Sequence, residues 1–293
     1  MATTKIEWSE YSWNPVTGCT KCSPGCTNCY AEKMAKRLAC IGAAQRAKRG
    51  TFSETPLWKK YSSVLGWGEN QGWNGEVFCD ETALDKPLHW RKPRRIFVCS
   101  MSDLFHEKVP FEYIDEVFDM MFYADWHIYQ LLTKRIEQMA KYIKHLDEHI
   151  YKDMDSLTWT ENPSKHIHLG VSISTQAEAD EKIPILLQIP AAVRWVSVEP
   201  MLERIDLRPF IGDYMTTPAS AMPNWIIIGA ESIGGRPGRE CKLDDVRDLV
   251  GQCKTAGVPV FVKQLHIDGK LAKDITKFPK DLRVREYPKG AAK

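Results

Sequence analysis

The stretch that most constrains this chain is WNPVTGCTKCSPGCTNCY, Trp13 to Tyr30, which carries four cysteines: Cys19, Cys22, Cys26 and Cys29. Thiolates this close in sequence can converge on one soft metal centre if the backbone turns sharply, and Ser23-Pro24-Gly25 supplies turn residues. Cys22, Cys26 and Cys29 stand at C-x3-C-x2-C. After them, YAEKMAKRLA places Tyr30, Met34 and Leu38 at i, i+4 and i+8, the spacing of a helix leaving the loop. A cysteine loop feeding a helix, ahead of alternating strands and helices, points to an iron–sulfur site in an α/β enzyme. C-x2-C-x3-C-x2-C is also compatible with zinc held by four thiolates, although zinc ribbons usually separate their two pairs by a dozen or more residues. Ligand softness and spacing favour iron and sulfide.

Three thiolates on a [4Fe-4S] cluster leave one iron open, the arrangement by which radical S-adenosylmethionine enzymes bind their cosubstrate. In that chemistry an external donor supplies one electron, and cleavage of the sulfonium gives a 5′-deoxyadenosyl radical that abstracts hydrogen. Four thiolates would instead suit simple electron transfer.

Hydrophobic content of 43% with 27% charged residues is ordinary for a globular protein, and 293 residues can build one large α/β domain or two small ones. A net charge of +2 does not by itself argue for nucleic acid or a membrane as partner. No apolar run approaches a membrane span, and MATTKIEWSE lacks the apolar core of a signal peptide, so a cytoplasmic location is expected. In that compartment clustered cysteines indicate metal or redox chemistry rather than disulfides. Cys40, Cys79, Cys99, Cys241 and Cys253 are scattered, and most of them read as small buried hydrophobes.

Residues 40–90 form an insertion rich in Gly and Trp (Trp58, Trp67, Trp73, Trp90), with cations between and after them that include Arg94 and Arg95. Aromatics interleaved with cations can grip single-stranded nucleic acid. The competing reading is a satellite core of packed tryptophans under solvated charges. From residue 95 β-branched runs recur at Ile96–Cys99, Ile128–Leu132, Ile167–Ile173, Val193–Val198, Trp225–Ile228 and Val258–Val262. Helical faces lie between several of them: Phe111, Ile114, Phe118, Met121 and Phe122; Ile136, Met139, Ala140 and Ile143; Leu243, Val246, Leu249, Val250 and Cys253. With a strand before Cys19, this predicts a parallel sheet covered by helices, a full or partial (β/α) barrel, within a single domain spanning 1–293. Pro200 to Pro223 reads as a mobile loop, and the basic tail 270–293 as solvated surface.

Barrel enzymes collect their chemistry where strands end. Here the runs lead into Ser100, Ser102, Asp103 and His106; Thr133, Lys134 and Arg135; Ser172, Ser174 and Gln176; Glu199; Glu231 and Ser232; and Lys263 and Gln264. Each taken alone could be a helix cap, but together they predict a polar bowl facing the cysteine loop. GAESIGGRPG, from Gly229, matches no familiar nucleotide loop, and Arg236 within it is a candidate anion fork.

The assembled motifs are KIEW-x4-WNPVTGC, SPGC-x2-CYAE, RKPRRIFV-x-SMSDLF, LLTKR, LGVS, SVEP, GAES with GGRPG, and FVKQ. With them the chain resembles a phage-associated, three-cysteine-motif family of radical-SAM-like proteins of unassigned function. The resemblance implies a [4Fe-4S] cluster and S-adenosylmethionine as cofactors. It places the three cysteines on Cys19, Cys26 and Cys29, whereas the usual radical-SAM spacing selects Cys22, Cys26 and Cys29. By analogy with that superfamily, Ser100, Ser102 and Asp103 would hold the methionine moiety, and Ser172, Ser174 and Glu199 the ribose. Glu199, Glu231 and Lys263 are then the expected catalytic residues. Arg236, Gln264, Trp73, Arg94 and Arg95 are those expected to meet substrate. A three-Cys-motif partner protein, an external electron donor and a nucleic acid to be repaired or modified are the implied partners. A zinc-stapled, non-catalytic nucleic-acid-binding protein is the alternative.

Overall fold

A computed structural model describes residues 4, 6–49, 55–66, 68, 72–150, 158–212 and 221–288. In chain order the first elements are β1 (Tyr11–Trp13), β2 (Val16–Thr17), α1 (Tyr30–Arg49), α2 (Pro56–Ser62), β3 (Leu65–Gly66), β4 (Gly72–Trp73) and β5 (Phe78–Cys79). The alternating part follows: β6 (Arg95–Val98), α3 (Phe111–Tyr123), β7 (Ile128–Thr133), α4 (Ile136–His145), β8 (Ile167–Ile173), α5 (Gln176–Gln188) and β9 (Val193–Val198). It ends with α6 (Arg208–Ile211), β10 (Trp225–Gly229), β11 (Ser232–Ile233), β12 (Arg236–Pro237), α7 (Leu243–Thr255), β13 (Val260–Ile267) and β14 (Lys270–Ala272). Every β-branched run read from the sequence is a strand, and each of the three helical faces lies on a helix.

One eight-stranded sheet organises the chain, in the order β1-β6-β7-β8-β9-β10-β13-β14. All its neighbours run parallel except β14, which pairs antiparallel to β13. The parallel strands are covered on both faces, which is why β8, β9 and β10 are buried at every residue. The two edge strands do not pair with each other, so the described residues form no closed barrel. The sheet is nonetheless strongly curled. Trp8 sits with its ring centroid 4.8 Å from Phe97 on β6 and 6.3 Å from Trp225 on β10. In a flat sheet those two strands, four places apart, would be about 19 Å from one another. Trp195 on β9, 5.3 Å from Trp8, completes this inner aromatic layer, and Gly170 makes room for it: a Cβ there would overlap the indole.

The described part of the tail, residues 270–288, is not a solvated surface. Phe278 and Leu282 are buried, residues 284–286 bond to β13, and Tyr287 stacks beside Trp225 at 5.6 Å. Lys270, Lys277, Lys280 and Arg283 are exposed, while Arg285 lies over the Phe261 and Phe278 rings and donates to the carbonyls of Val262, Lys263 and Lys273. The insertion builds a satellite core in which Ala35 and Ala39 of α1 meet Tyr61, Val64 and Leu65, with Trp73 and Phe78 packed against them. The packed reading of this segment therefore holds for Trp73, while Trp67 lies outside the described residues. Within the expected loop 200–223, residues 213–220 also lie outside them. Among the described residues no helix is long and apolar enough to cross a membrane.

Candidate active site

The cysteine loop is a short turn closed by its own residues. The Ser23 hydroxyl accepts from Gly25 N at 3.1 Å, Pro24–Cys26 makes a single 3-10 turn, and Cys29 N donates to Cys26 O at 3.3 Å just before α1 begins. Gly25 is where this loop presses on the sheet. A Cβ there would overlap Ser174 Oγ and come within 3.2 Å of Pro200 Cδ and 3.4 Å of Lys134 Nζ.

Below the loop lies a cavity of 670 Å³ at the carboxyl ends of the strands, a volume typical of small-molecule sites. Cys19, Cys26 and Cys29 line it and Cys22 does not; Cys22 is exposed, its thiol donating to Cys26. That donation, with the charge of Lys134 and against the opposing effect of burial, holds the Cys26 thiol down to about 5. Burial instead pushes Cys19 up to about 12. Among the described residues no three His, Cys, Asp or Glu side chains converge as ligands of a single metal ion. A four-thiolate zinc site would need such convergence; a cluster, whose irons each take one thiolate, would not.

Of the expected site residues, Ser100, Ser102, Asp103, Ser172, Glu199, Glu231, Lys263 and Gln264 all line this cavity. The polar bowl is there, but much of it is committed to holding itself together. Ser100 Oγ donates to Asn14 Oδ1 at 3.1 Å, and Ser102 Oγ to Val16 O at 2.9 Å. Asp103 accepts from Thr133 Oγ1 at 2.7 Å, Lys134 N at 3.0 Å, Phe105 N at 3.1 Å and Arg135 at 3.3 Å. Its carboxylate is a structural lock and offers no free face to a methionine moiety. Ser174 lies behind Gly25, buried, and its hydroxyl has no partner. Glu199 is ion-paired with Lys263, and the Lys134 ammonium donates to Ser172 Oγ at 2.5 Å. Lys263 and Gln264 both reach the cavity because β13 carries one extra residue where Ile228↔Val262 gives way to Gly229↔Gln264.

Arg236 is exposed on the β11–β12 hairpin, outside the cavity; the guanidinium that holds Glu231 is Arg239, which does not itself line the cavity. It donates to both Glu231 oxygens, 2.5 Å and 3.1 Å, while Asn28 of the cysteine loop donates to Glu231 at 3.1 Å. Burial works against ionisation of Glu231, but Arg239 and Asn28 outweigh it and hold the carboxyl below its usual range. Trp73 is packed in the satellite core, and neither Arg94 nor Arg95 reaches the cavity. They precede or begin β6, at the opposite end of the sheet, with Arg94 over Tyr11 and Arg95 over Tyr287.

Arg135, read from the sequence only as a strand-end residue, is the hub that residue-type reasoning missed. It is almost wholly buried and donates to Glu107 at 3.0 Å, Thr20 O at 3.1 Å, Asp103 at 3.3 Å and Cys19 Sγ at 3.6 Å. The signal was the unbroken run Thr133-Lys134-Arg135 straight after a buried strand. Cys99, read as a buried hydrophobe, also lines the cavity, in a left-handed backbone conformation (φ 62°).

Comparison with curated proteins and with solved structures finds no match. The family model described as "Protein of unknown function (DUF5131)" matches residues 3–287, and the chain belongs to that family.

Proposed function

We propose that this protein is a radical S-adenosylmethionine enzyme, with a [4Fe-4S] cluster held by Cys19, Cys26 and Cys29 over the cavity. The observation that carries the reading is the seating of three of the loop's four thiols at a cavity on the carboxyl ends of parallel strands. Cys22, the ligand that the superfamily's usual spacing selects, lies outside it. Two cations stand beside these thiols, which suits a site that must carry several negative charges: Arg135 donates to Cys19, and Lys134 is close enough to act on Cys26. The curled open sheet fits the partial-barrel form of the expected fold. When bound, the cluster would supply the electron that cleaves the cosubstrate. The chain's own residues orient and shield. Lys134 has no carboxylate partner among the described residues, and it is the cation suited to meet the cosubstrate's carboxylate. The Glu199–Lys263 pair and Glu231 would face the ribose and the reacting carbon. The packing of Trp73 disfavours the nucleic-acid surface of the zinc-stapled alternative. An electron donor and a partner protein belong to the proposal through the family resemblance alone.

The test is anaerobic reconstitution with iron and sulfide, then addition of dithionite and S-adenosylmethionine and chromatography for 5′-deoxyadenosine. Reductant-dependent 5′-deoxyadenosine is expected. Stoichiometric zinc with no bound iron in protein isolated without air would overturn the assignment.

A further inference from the structure

One side of the cavity mouth is built by α1, whose Tyr30, Met34 and Arg37 line it at i, i+4 and i+7. Tyr30 is 60% exposed, although it directly follows a cysteine that lines the cavity. The helix YAEKMAKRLACIGAAQRAKR carries six basic residues and one acidic residue. That acid, Glu32, is occupied by Lys21 at 3.2 Å and Lys36 at 3.5 Å. Lys33 and Arg37 are exposed and make no ion pair among the described residues. The mouth therefore presents an aromatic ring and uncompensated cations on one rigid ridge. Further in, the cavity holds the Glu199–Lys263 ion pair and Glu231, and beside them a set of neutral polar groups. Ser197 Oγ, Gln264 Oε1 and Trp8 Nε1 all belong to buried residues that line it, and none of these atoms has a hydrogen-bond partner. An acceptor, an indole donor and a hydroxyl that can act as either are left for a ligand with both kinds of group on one edge. Phe97 and Trp8 supply flat apolar walls beside them.

We propose that single-stranded nucleic acid lies along α1, held by Lys33 and Arg37, and delivers one unstacked base past Tyr30 into the cavity. A basic ridge with an exposed aromatic is how a strand is held without sequence preference. Orphaned donors and acceptors inside a pocket are how an extruded base is read. The proposal rests on this cavity being the reactive one, but its test needs neither reductant nor cosubstrate, so failure of the radical chemistry and failure of docking are separately visible.

The test uses the full-length reconstituted protein and fluorescein-labelled 20-mer DNA and RNA strands, titrated by anisotropy at several salt concentrations. The double variant Lys33→Ala, Arg37→Ala should lower the log–log salt slope by about 1.4, about 0.7 for each phosphate that a single strand no longer has neutralised. Tyr30→Ala should weaken binding roughly 5- to 150-fold with the slope unchanged. Ser197→Ala should alter the ranking among homopolymers, and Arg94→Ala with Arg95→Ala should change nothing. The chemical class of the strand is settled by which of the DNA and RNA arms binds tighter. Absence of binding at low salt, a slope unmoved by the α1 variants, or equal binding of the matching duplex would overturn the proposal.

Discussion

Removing Arg135 should unlock the site from beneath. Its side chain is 5% exposed, and truncation to Ala leaves Asp103, 8% exposed, without its counter-charge. Breaking a buried pair from one side typically costs about 3–5 kcal/mol. Asp103 would keep its donors Thr133, Lys134 N and Phe105 N, so the loss should fall near the low end, about 3 kcal/mol. For a large domain that corresponds to a drop in Tm of roughly 6–12 °C, nearer the smaller figure at this chain length. Circular-dichroism melts of Arg135→Ala, Asp103→Asn and the double variant, run without air, measure both the loss and its origin. The two changes should be coupled by about 1–3 kcal/mol, because each removes the same ion pair. Arg135→Lys should recover less than half of the loss, since an ammonium cannot reach Glu107, Thr20 and Asp103 together. A melt within about 1 °C of the parent, or strict additivity in the double variant, would refute the lock.

The remaining expectations concern the loop and the core. Cys19→Ala, Cys26→Ala and Cys29→Ala should each lose the reconstituted iron and sulfide, while Cys22→Ala keeps them; quantifying both elements decides it, and the reverse pattern for Cys19 and Cys22 would make Cys22 the third ligand. Gly25→Ala should reduce cluster retention by forcing the loop off Ser174, and Ser174→Gly should partly restore it; equal iron content in parent and Gly25→Ala would show that the loop does not need this approach. Burial lowers His168 to about 4, so the unfolded imidazole takes a proton near pH 6.5 and the folded one does not. Stability is then complete above about pH 6.5 and lost as pH falls towards 4, by about 3 kcal/mol at roughly 1.4 kcal/mol per pH unit. His127 and His166 are lowered by burial too and act in the same direction. Urea midpoints across that range should fall less steeply in His168→Gln, and identical profiles would remove His168 as the cause.

The central strands were legible because β8, β9 and β10 are buried on both faces and so read as largely apolar runs, as Trp225–Ile228 does over its whole length. Strand-end residues were legible as a set for the same reason: a polar residue after such a run has nowhere to go but the rim. Their individual duties were not, because a sequence does not show hydrogen-bond partners. Asp103 looks like a ligand until its donors are counted. Arg236 opens the two-residue β12 and Arg239 lies just beyond it, and only the hairpin's fold sends Arg239 back to Glu231. Arg94 and Arg95 looked like part of a groove, but they stand at the start of β6, and the cavity is at its finish. The tail was misread because its cations outnumber the few apolar residues that anchor it.

The bond from Asn28 to Glu231 joins positions 203 residues apart, and Trp8 meets its neighbours across a similar span. The cysteines therefore leave a ribosome about 200 residues ahead of the last side chains that enclose them. At ordinary elongation rates of about 5–20 residues per second, the interval is on the order of 10–40 s. Arg135, 116 residues after Cys19, follows about halfway through it, and the strand-end residue Glu231 only at its close. Under the proposed function, loading of the site belongs to the finished chain, and supply of reduced iron and sulfide after synthesis, not translation itself, would set how much of the protein becomes competent.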